Sequence, residues 1–422
     1  MRLPLVCIPL LLAAPAVFPQ SGLAPEALLL AKVKLRAAEN LERLPNYTCL
    51  ETIERSRRLV SSRRFELIDM LRLEVGLVNR KELFAWPGSG EFTDQEISDM
   101  VGHGAIGNGS FAIHARSLFL SGTPEFTYIG ERNRDGRNTV RWDYRVPLLH
   151  SGYRLRVKPL EAIVGYRGSV WVDAATLDLA RIEIQVTEIP PHLPVSAASE
   201  VLEYQSVSIG QGAFLLPHTS ALVIADLQGN ESRNNTLFSN CRQFAGESVL
   251  SFGDAPETSA APRPAPRLLQ LPPDLEFQLE LRTPIEAGTT AVGDALEAFV
   301  VKDVKLKNTI LLPKGAKITG RVWKLERLQT PSRTEWVAGL LFQRFAFDHF
   351  YGELHARLVP PVPGSSSPWE RVDSLRSHTI VREQPAASPR IGILNLKGER
   401  GKLPAGTRLY WRTLPLSREE KP

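Results

Sequence analysis

The residues best suited to chemistry form a glycine-rich segment between Gly102 and Gly107. This segment, GHGAIG, matches the pattern G-x-G-x-x-G, whose glycines let the backbone approach a dinucleotide pyrophosphate at a helix N-terminus. That use requires a buried parallel strand directly before the motif. Here residues 94–101 are acidic and helix-like, and no alternation of strands and helices surrounds them. The pattern therefore predicts a glycine-rich loop over 102–109 and no nucleotide cofactor.

Other catalytic and metal-binding signatures are missing from the sequence. It contains no P-loop, no zinc-protease helix motif, no nucleophile elbow and no EF-hand loop. The eight histidines are scattered, and only His349 and His355 lie close enough to suggest a weak metal pair. We therefore predict no catalytic residue, no metal and no cofactor. A secreted hydrolase is the weakest alternative, and it would need a polar cleft around His103 and His114 or around His349 and His355.

The cysteines predict one disulfide if the chain is exported. Of three cysteines, Cys7 lies in the apolar N-terminal segment, which leaves Cys49 and Cys241. Two cysteines in an exported chain usually form a disulfide. The alternative is a reactive thiol, but neither cysteine belongs to a C-x-x-C motif or a histidine-flanked elbow. We predict a disulfide between Cys49 and Cys241.

The N-terminus predicts export. Residues 1–16 combine a positive charge at Arg2, a short apolar run and the small-residue pattern Ala14-Pro15-Ala16, as a cleavable signal peptide does. The alternative is a membrane anchor. Prolines interrupt the run, which is shorter than the roughly 20 residues a membrane span needs. We predict cleavage after Ala16, no transmembrane span, and a periplasmic or secreted protein.

Charge is unevenly distributed along the chain. The net charge is +5, and residues 271–422 hold 23 Lys and Arg against 17 Asp and Glu. Outside the cytoplasm, a basic region suits an anionic surface or an envelope protein better than nucleic acid. The segment Arg55-Ser56-Arg57-Arg58 with Arg63-Arg64 resembles a nucleic-acid patch in isolation, but it alternates with apolar residues on a predicted strand pair. We expect no nucleic-acid partner.

Hydrophobic periodicity predicts the elements. Apolar residues recur at helical spacing over 25–44, and after Tyr47 the period changes to two, as in half-buried strands. The fold class predicted is mainly β (α+β), an antiparallel half-barrel with an N-terminal helix followed by a smaller β-barrel domain. The inward members of the alternating strands are the candidate ligand-lining residues: Leu155, Val157, Trp171, Ile182, Ile184 and Val186.

Composition divides the mature chain. Residues 253–270 are rich in proline and alanine and lack periodicity, which is typical of a linker. They separate a first domain over 17–252 from a second over 271–422. Within the second domain, residues 361–390 are rich in proline and serine and predict a long loose loop.

The first domain resembles the outer-membrane lipoprotein carrier (LolA-like) half-barrel. The resemblance rests on a long helix followed by Tyr47-Thr48-Cys49, and on the hairpin that joins Trp171-Val172-Asp173 to Leu179–Glu183. It covers about residues 25–252. The resemblance implies a curled antiparallel sheet with an apolar concavity that shelters acyl chains, and a helix that plugs it.

The second domain resembles the TrbI-like β-barrel of conjugation channels. The matching pieces are the strand within Pro272–Pro284, the turn Val292-Gly293-Asp294, and the run from Ile310 through Ala316 to Thr319-Gly320-Arg321-Val322. The chain lacks the cytoplasmic segment, membrane helix and proline-rich stalk of those proteins. The resemblance therefore implies a stand-alone barrel that serves as a binding or docking module.

These observations give two functional hypotheses. In the first, an exported non-enzymatic envelope protein binds a lipid or lipoprotein acyl chain in its curled sheet, and its basic second domain contacts a partner protein or an anionic surface. In the second, both domains act as a structural or assembly scaffold of the cell envelope through protein contacts. A partly open apolar cavity favours the carrier. A completely filled one favours the scaffold, because the candidate lining residues would then be ordinary core.

Overall fold

The computed structural model describes residues 24–93, 97, 113–134, 136–157, 159–244, 265–329, 334–359, 379–381 and 390–415. The predicted signal peptide, the glycine-rich loop 102–109 and His103 lie outside the described residues. Within the described ranges, no helix is long and apolar enough to span a membrane.

The described chain contains two helices and twenty-six strands. The helices are α1 (Pro25–Glu42) and α2 (Ile113–Leu120), with a short 3-10 turn at Leu148–His150. The strands up to residue 243 are β1 (Tyr47–Arg58), β2 (Glu66–Val78), β3 (Lys81–Ala85), β4 (Glu125–Arg134), β5 (Arg137–Val146), β6 (Arg154–Val157), β7 (Leu160–Ile163), β8 (Gly165–Asp173), β9 (Leu179–Thr187), β10 (Val195–Ile209), β11 (Gly212–Asp226) and β12 (Glu231–Gln243). The later strands are β13 (Arg267–Leu268), β14 (Glu276–Leu281), β15 (Ile285–Glu286), β16 (Ala295–Val300), β17 (Val304–Leu306), β18 (Thr309–Leu312), β19 (Lys317–Gln329), β20 (Thr334–Phe347), β21 (Phe350–Glu353), β22 (Ala356–Leu358), β23 (Thr379–Val381), β24 (Gly392–Lys397), β25 (Lys402–Leu403) and β26 (Arg408–Thr413).

The helix predicted over 25–44 is confirmed as α1. Pro25 occupies its first turn, where the missing N–H costs nothing, and Glu26 lies where the helix dipole favours an acidic side chain. Helix α1 ends at Glu42, two residues earlier than predicted. Pro45 explains the difference, because proline cannot donate to the helix and restricts the residue before it.

The first sheet is a ten-stranded antiparallel half-barrel, which confirms the mainly β fold class. Its strand order is β3-β2-β1-β12-β11-β10-β9-β8-β5-β4. Strand β12 returns beside β1, and a disulfide joins Cys49 of β1 to Cys241 of β12 across 192 residues of sequence. The meander is thus tied at the point where its two ends meet.

The second sheet curls around a separate set of aromatic residues. Its main strand order is β13-β21-β20-β19-β16-β14-β26-β22, and β24 pairs with β20. Inside the curl, Phe342 and Trp411 meet edge to face with ring centroids 5.2 Å apart. A Cβ at Gly392 would lie 2.7 Å from the Trp411 ring. Only glycine therefore lets β24 approach β26 this closely.

Two segments predicted to lack structure contain short strands. Residues 267–268, in the predicted linker, form β13, and residues 379–381, in the predicted loose loop, form β23. Strand β13 pairs with β21 and β23 pairs with β24. Local composition could not reveal these strands, because a distant partner strand supplies their hydrogen bonds.

The two sheets meet at the exposed edge of β2. The backbone N–H of Arg72 donates to the Val292 carbonyl at 2.8 Å, and the Val292 N–H donates to the Met70 carbonyl at 2.8 Å. The side chains of Arg72 and Asp294 form an ion pair beside these bonds. Because β3 pairs with β2 only from Glu74 onward, the segment around Val292 satisfies backbone groups that would otherwise form an open sheet edge.

Aromatic and charged side chains extend this contact. The guanidinium of Arg321 lies 4.9 Å from the centre of the Trp86 ring and 5.5 Å from that of Trp323. Burial, together with nearby Arg390, lowers the pKa of Arg321 to about 10. Buried apolar residues of both sheets form one hydrophobic cluster around this contact. The two sheets therefore pack against each other at this contact.

We expect Gly293→Ala to weaken this contact between the sheets. Gly293 has φ +98°, and a Cβ there would lie 2.3 Å from the Arg72 carbonyl oxygen. The variant should lower the free energy of unfolding by about 3 kcal/mol, since backbone strain adds to the clash. Gly315→Ala is the matched control, because its φ is +85° but no atom lies within 4 Å of the added Cβ. Urea titration would contradict this account if both variants lost equal stability.

Candidate functional site

The inner face of the first sheet is its most extensive apolar surface. We call inner the face covered by α1, α2 and the β6–β7 hairpin, and outer the opposite face. Val33 of α1 and Leu118 and Phe119 of α2 are buried against one part of it, and Leu155 of the hairpin is buried against another. Side chains alternate between the faces of a strand. The inner face is therefore apolar across several strands and is covered by separate pieces of chain.

Five of the six predicted lining residues lie on the inner side of the sheet, in two adjacent clusters. Ile182 and Ile184 pack under the two helices. Val186 lies under the β6–β7 hairpin, and two residues of that hairpin, Leu155 and Val157, pack in the same cluster. These residues thus surround the covered concavity.

Trp171 is the exception. The prediction that its side chain points inward is wrong, because it lies on the outer face. Its neighbours Val170 and Val172 are the fully buried inner residues of β8, so the alternation places Trp171 on the outer face. There its ring lies between the guanidinium groups of Arg141 and Arg134, at 5.1 and 5.9 Å. The sequence favoured the larger aromatic side chain as the inward one. Arginine stacking supplies it with an apolar and cationic environment outside the concavity.

A polar cluster lies beneath the cover of the inner face. His114 of α2 donates from Nε2 to a carboxylate oxygen of Glu200 at 3.1 Å, and Ser220 donates to the other oxygen at 2.8 Å. The ring of Tyr153 stacks on His114 with centroids 5.3 Å apart. We call these four residues the polar centre. It fastens α2 and the β6–β7 segment to the floor of the sheet.

The polar centre does not have the geometry of a catalytic triad. In a triad, histidine lies between the acid and the nucleophile and takes the nucleophile's proton. Here Glu200 lies between His114 and Ser220. The carboxylate therefore accepts both hydrogen bonds, and Ser220 has no base beside it.

The other histidines predicted as alternatives do not converge either. The ring centroids of His349 and Phe350 lie 4.2 Å apart with the rings tilted by 35°, and His355 Nε2 lies 3.4 Å from a carboxylate oxygen of Glu353. Among the described residues, no group of three or more histidine, cysteine or acidic side chains could hold a metal ion.

Two buried glutamates on the inner face have opposite pKa shifts. Burial acts to raise the pKa of Glu200, but the hydrogen bonds from His114 and Ser220 outweigh it, and the net pKa is lowered. Glu51 of β1 is equally buried, and neither of its carboxyl oxygens has a hydrogen-bond partner within the part of the chain described. Burial, reinforced by Glu82, raises the pKa of Glu51 well above its usual value. Glu200 is thus held as a carboxylate, whereas the environment of Glu51 favours the protonated acid.

Glu51 and Glu200 are not among the residues predicted from the sequence, and His114 is predicted only as part of the hydrolase alternative. A signal was present in both strands. Glu51 occupies an inner position between Cys49 and Ile53, and Glu200 stands two residues before the inner Leu202. A charged residue within a buried apolar alternation marks either a paired group or an unusual pKa.

Two surface cavities open within the described part of the chain. One of about 460 Å³ lies around Gly168; its lining combines polar groups of the outer face, such as Asp143 and Gln185, with Ile184 and Glu200 of the inner face. Another of about 250 Å³ lies on the second sheet beside Leu269 and His355. In both, polar and apolar atoms are mixed, and neither corresponds to the predicted acyl-binding concavity.

Comparison with known proteins yields only distant structural likenesses. No protein-family model and no curated protein matches the sequence. A domain named for outer-membrane lipoprotein sorting, from Vibrio parahaemolyticus, is 13% identical, with 52% of this chain and 95% of that chain covered and a TM-score of 0.28. A LolA superfamily protein from Nitrosomonas europaea is 10% identical, with 51% and 93% covered and a TM-score of 0.28. A DUF1329 family protein from Desulfovibrio piger is 14% identical, with 55% and 98% covered and a TM-score of 0.26.

These likenesses are too weak to carry a functional argument. None of the three structures is a conjugation-channel barrel, so the resemblance of the second region to that family stays a prediction.

We expect Glu200→Gln to remove an acid-dependent part of the stability. Because the folded-state pKa of Glu200 is lowered, its contribution is complete above the ordinary pKa of about 4.5 and is lost as the pH falls through the folded-state value. The variant should cost about 2 kcal/mol at pH 7 and flatten the decline below pH 4.5. Glu203→Gln is the control, because Glu203 lies in the same strand but on the outer face, where it is partly exposed and forms an ion pair with Arg134. Equal pH profiles for Glu200→Gln and the unaltered protein would contradict the assignment.

We expect Glu51→Gln to have the opposite pH dependence. The raised pKa of Glu51 means that its folded form binds a proton more tightly than its unfolded form. Stability is therefore lost as the pH rises from about 4.5 towards the folded-state value. The neutral amide should stabilise the protein by about 1–3 kcal/mol at pH 8 and have little effect at pH 4. Thermal melts at both pH values measure this, and a difference independent of pH would refute it.

Proposed function

We propose that this protein is an exported, non-enzymatic envelope protein that binds a lipid or lipoprotein acyl chain against the inner face of its first sheet. In this proposal the acyl chain replaces part of the cover formed by α1, α2 and the β6–β7 hairpin. The observation that carries the proposal is that a wide apolar floor is covered by separate pieces of chain, α1, α2 and the β6–β7 hairpin, each of which packs on it on its own.

The energetics of α2 support such an exchange. An eight-residue helix has too few turns to be stable alone, so its structure depends on packing against the sheet. Its main apolar contacts come from Ala115, Leu118 and Phe119. Burying side chains of this size contributes about 1–3 kcal/mol each. An acyl chain would supply apolar contact of the same kind, and the closed and ligand-bound states could then differ by only a few kcal/mol.

Helix α1 is held by one polar anchor and by one apolar stripe, in which Leu29, Leu30, Ala37 and Leu41 pack beside Val33. Arg36 and Asn40 bind the carboxylate of Asp178, in the hairpin turn between β8 and β9, at 2.8 and 3.0 Å. Val33 is its only fully buried residue, while Leu35 on the opposite side is exposed. An amphipathic helix attached in this way can move as a unit without unfolding the sheet.

The compartment and partners follow from the same proposal. The Cys49–Cys241 disulfide suits an oxidising compartment, consistent with a signal peptide over 1–16 and a periplasmic or secreted location. The basic region 271–422 would contact an envelope protein or an anionic surface. The proposal includes no nucleic-acid partner.

A scaffold is the second candidate, and two observations favour it. The predicted lining residues Ile182 and Ile184 are buried under the cover, as ordinary core residues are. The two sheets share a hydrophobic cluster and a backbone bridge between Leu71 and Val292, and such a rigid joint suits a protein that works through two protein-binding surfaces. On this reading the cover of the inner face is permanent core, and no lipid enters.

If a ligand replaces part of the cover, single substitutions should change the affinity for an apolar probe in opposite directions. Leu118→Ala weakens the cover, so it should tighten the binding of a fluorescent fatty-acid probe about tenfold by populating the open state. Ile184→Ala removes part of the floor and should weaken binding severalfold. Gln185→Ala is the control, because Gln185 is adjacent in β9 but exposed on the outer face. Probe titration of the purified full chain measures all three.

Mass spectrometry of lipids extracted from the protein exported to a bacterial periplasm gives the complementary test. Stoichiometric lipid that the probe displaces supports the carrier. A lipid-free protein that binds no probe, with or without Leu118→Ala, would reject the carrier and leave the scaffold.

A further inference from the structure

Two hairpin turns lie side by side at one end of the first sheet. Residues 59–65 join β1 to β2, and residues 227–230 join β11 to β12; we call them together the hairpin tips. They are adjacent because Arg58 and Glu231 are paired in the β1–β12 ladder. The Val60 N–H donates to the Asn230 side-chain oxygen at 3.1 Å. The two turns therefore form one surface.

The hairpin tips are internally fixed. The carboxylate of Asp226 accepts hydrogen bonds from the backbone N–H groups of Gln228 and Asn230 at 2.9 and 2.8 Å. In the other turn, the Ser62 N–H donates to the Leu59 carbonyl at 2.8 Å. These bonds preset the backbone, so the orientation of the side chains at the tips does not depend on a partner.

Apolar side chains project from these turns into solvent. Val60 is 71% exposed, Leu227 62% and Leu59 37%. Turns of this kind favour glycine, asparagine, aspartate and serine, and the turn geometry gives no reason for valine or leucine at these positions. Scattered exposed apolar residues are ordinary, but neighbouring ones on a rigid projection indicate an interaction site.

Arginines surround the projecting side chains. Arg63 and Arg64 are exposed, and neither forms an ion pair with a carboxylate in the described part of the chain. Arg58 is paired with Glu231 at 2.6 Å, and the ring of Phe65 lies between the guanidiniums of Arg58 and Arg233, at 5.1 and 4.0 Å. The tips thus present apolar side chains at their ends and uncompensated positive charge beside them.

We propose that the hairpin tips dock the protein on a membrane surface that contains anionic lipids. Val60 and Leu227 enter the interfacial region of the bilayer, and Arg63 and Arg64 contact lipid phosphates. Amphipathic surfaces bind membranes through this combination of buried apolar area and attraction to anionic head groups.

The shape of the tips favours a bilayer over a protein partner. A stable protein interface buries about 800 Å² on each side, whereas the tips offer a few side chains on two narrow turns. A bilayer accepts such a projection without a matching surface. This inference does not require acyl binding at the inner face. Because β1 ends and β12 begins at the tips, docking would bring one end of the inner face close to the membrane.

Co-sedimentation of the full chain with vesicles tests the proposal. Vesicles of phosphatidylglycerol and phosphatidylcholine in equal parts should bind the protein, and pure phosphatidylcholine vesicles should bind it far less. Raising the salt from 0.05 to 0.5 M should weaken binding to the anionic vesicles, because salt screens exposed charges.

Paired variants separate the two components of the surface. Arg63→Glu with Arg64→Glu should reduce the partition coefficient at least about twentyfold. Val60→Ser with Leu227→Ser should reduce it about tenfold and leave the salt dependence in place. Arg132→Glu with Arg137→Glu is the matched control, since these exposed arginines flank the β4–β5 turn. It should retain most of the binding.

Several results would overturn the proposal. These are equal binding to neutral and anionic vesicles, no binding to either, or an equal loss in the β4–β5 control. Circular dichroism and thermal melts confirm that each variant is folded, as expected for exposed positions. Probe binding at the inner face should be unchanged in the tip variants, so failure of membrane docking and failure of acyl binding are distinguishable.

Discussion

An antiparallel sheet with one apolar face is stable in water only while that face is covered, and this constraint organises the first half of the molecule. The curled sheet presents alternate side chains of many strands to one side, where their burial supplies the main favourable free energy. Helices α1 and α2 and the β6–β7 hairpin provide the described cover. Helix α2 and the β6–β7 hairpin are short, so they depend on the sheet for their structure. The same dependence that stabilises the closed protein makes exchange with an apolar ligand energetically reasonable.

The edge of the first sheet imposes a second requirement. Beyond the reach of β3, the backbone of β2 would expose unpaired hydrogen-bonding groups, and the segment at Val292 pairs with them. Gly293 permits this close approach because its positive φ and missing side chain leave room for the Arg72 carbonyl and the Trp86 ring. The stacked Arg321 and tryptophans then extend the contact. The backbone bridge, the Arg72–Asp294 ion pair and a shared hydrophobic cluster thus couple the two sheets.

Polar groups inside the apolar layer have different consequences according to their partners. Glu200 accepts hydrogen bonds from a covering helix and from the sheet floor, so its charge links cover and floor. Glu51 lacks such donors among the described residues, and its charged form is penalised. On the outer surface, arginine side chains stack on the rings of Trp171 and Phe65 and lie beside the exposed apolar residues of the hairpin tips. Residue type alone does not set these roles, because each depends on the desolvation and the donors that the fold supplies.

The sequence by itself determined the features that depend on neighbouring residues. The helical period gave α1, the period of two gave most strands and the mainly β class, and Ile182 and Ile184 were assigned to the covered face. It misplaced Trp171, because local alternation establishes that residues take turns facing inward but does not decide which of two apolar neighbours does so. The hydrogen bonds of β13 and β23, the bridge at Val292, and the meeting of His114, Glu200 and Ser220 join residues far apart along the chain. Only the tertiary structure decided these, because distant strand pairing and side-chain burial leave no periodic signal in the local sequence.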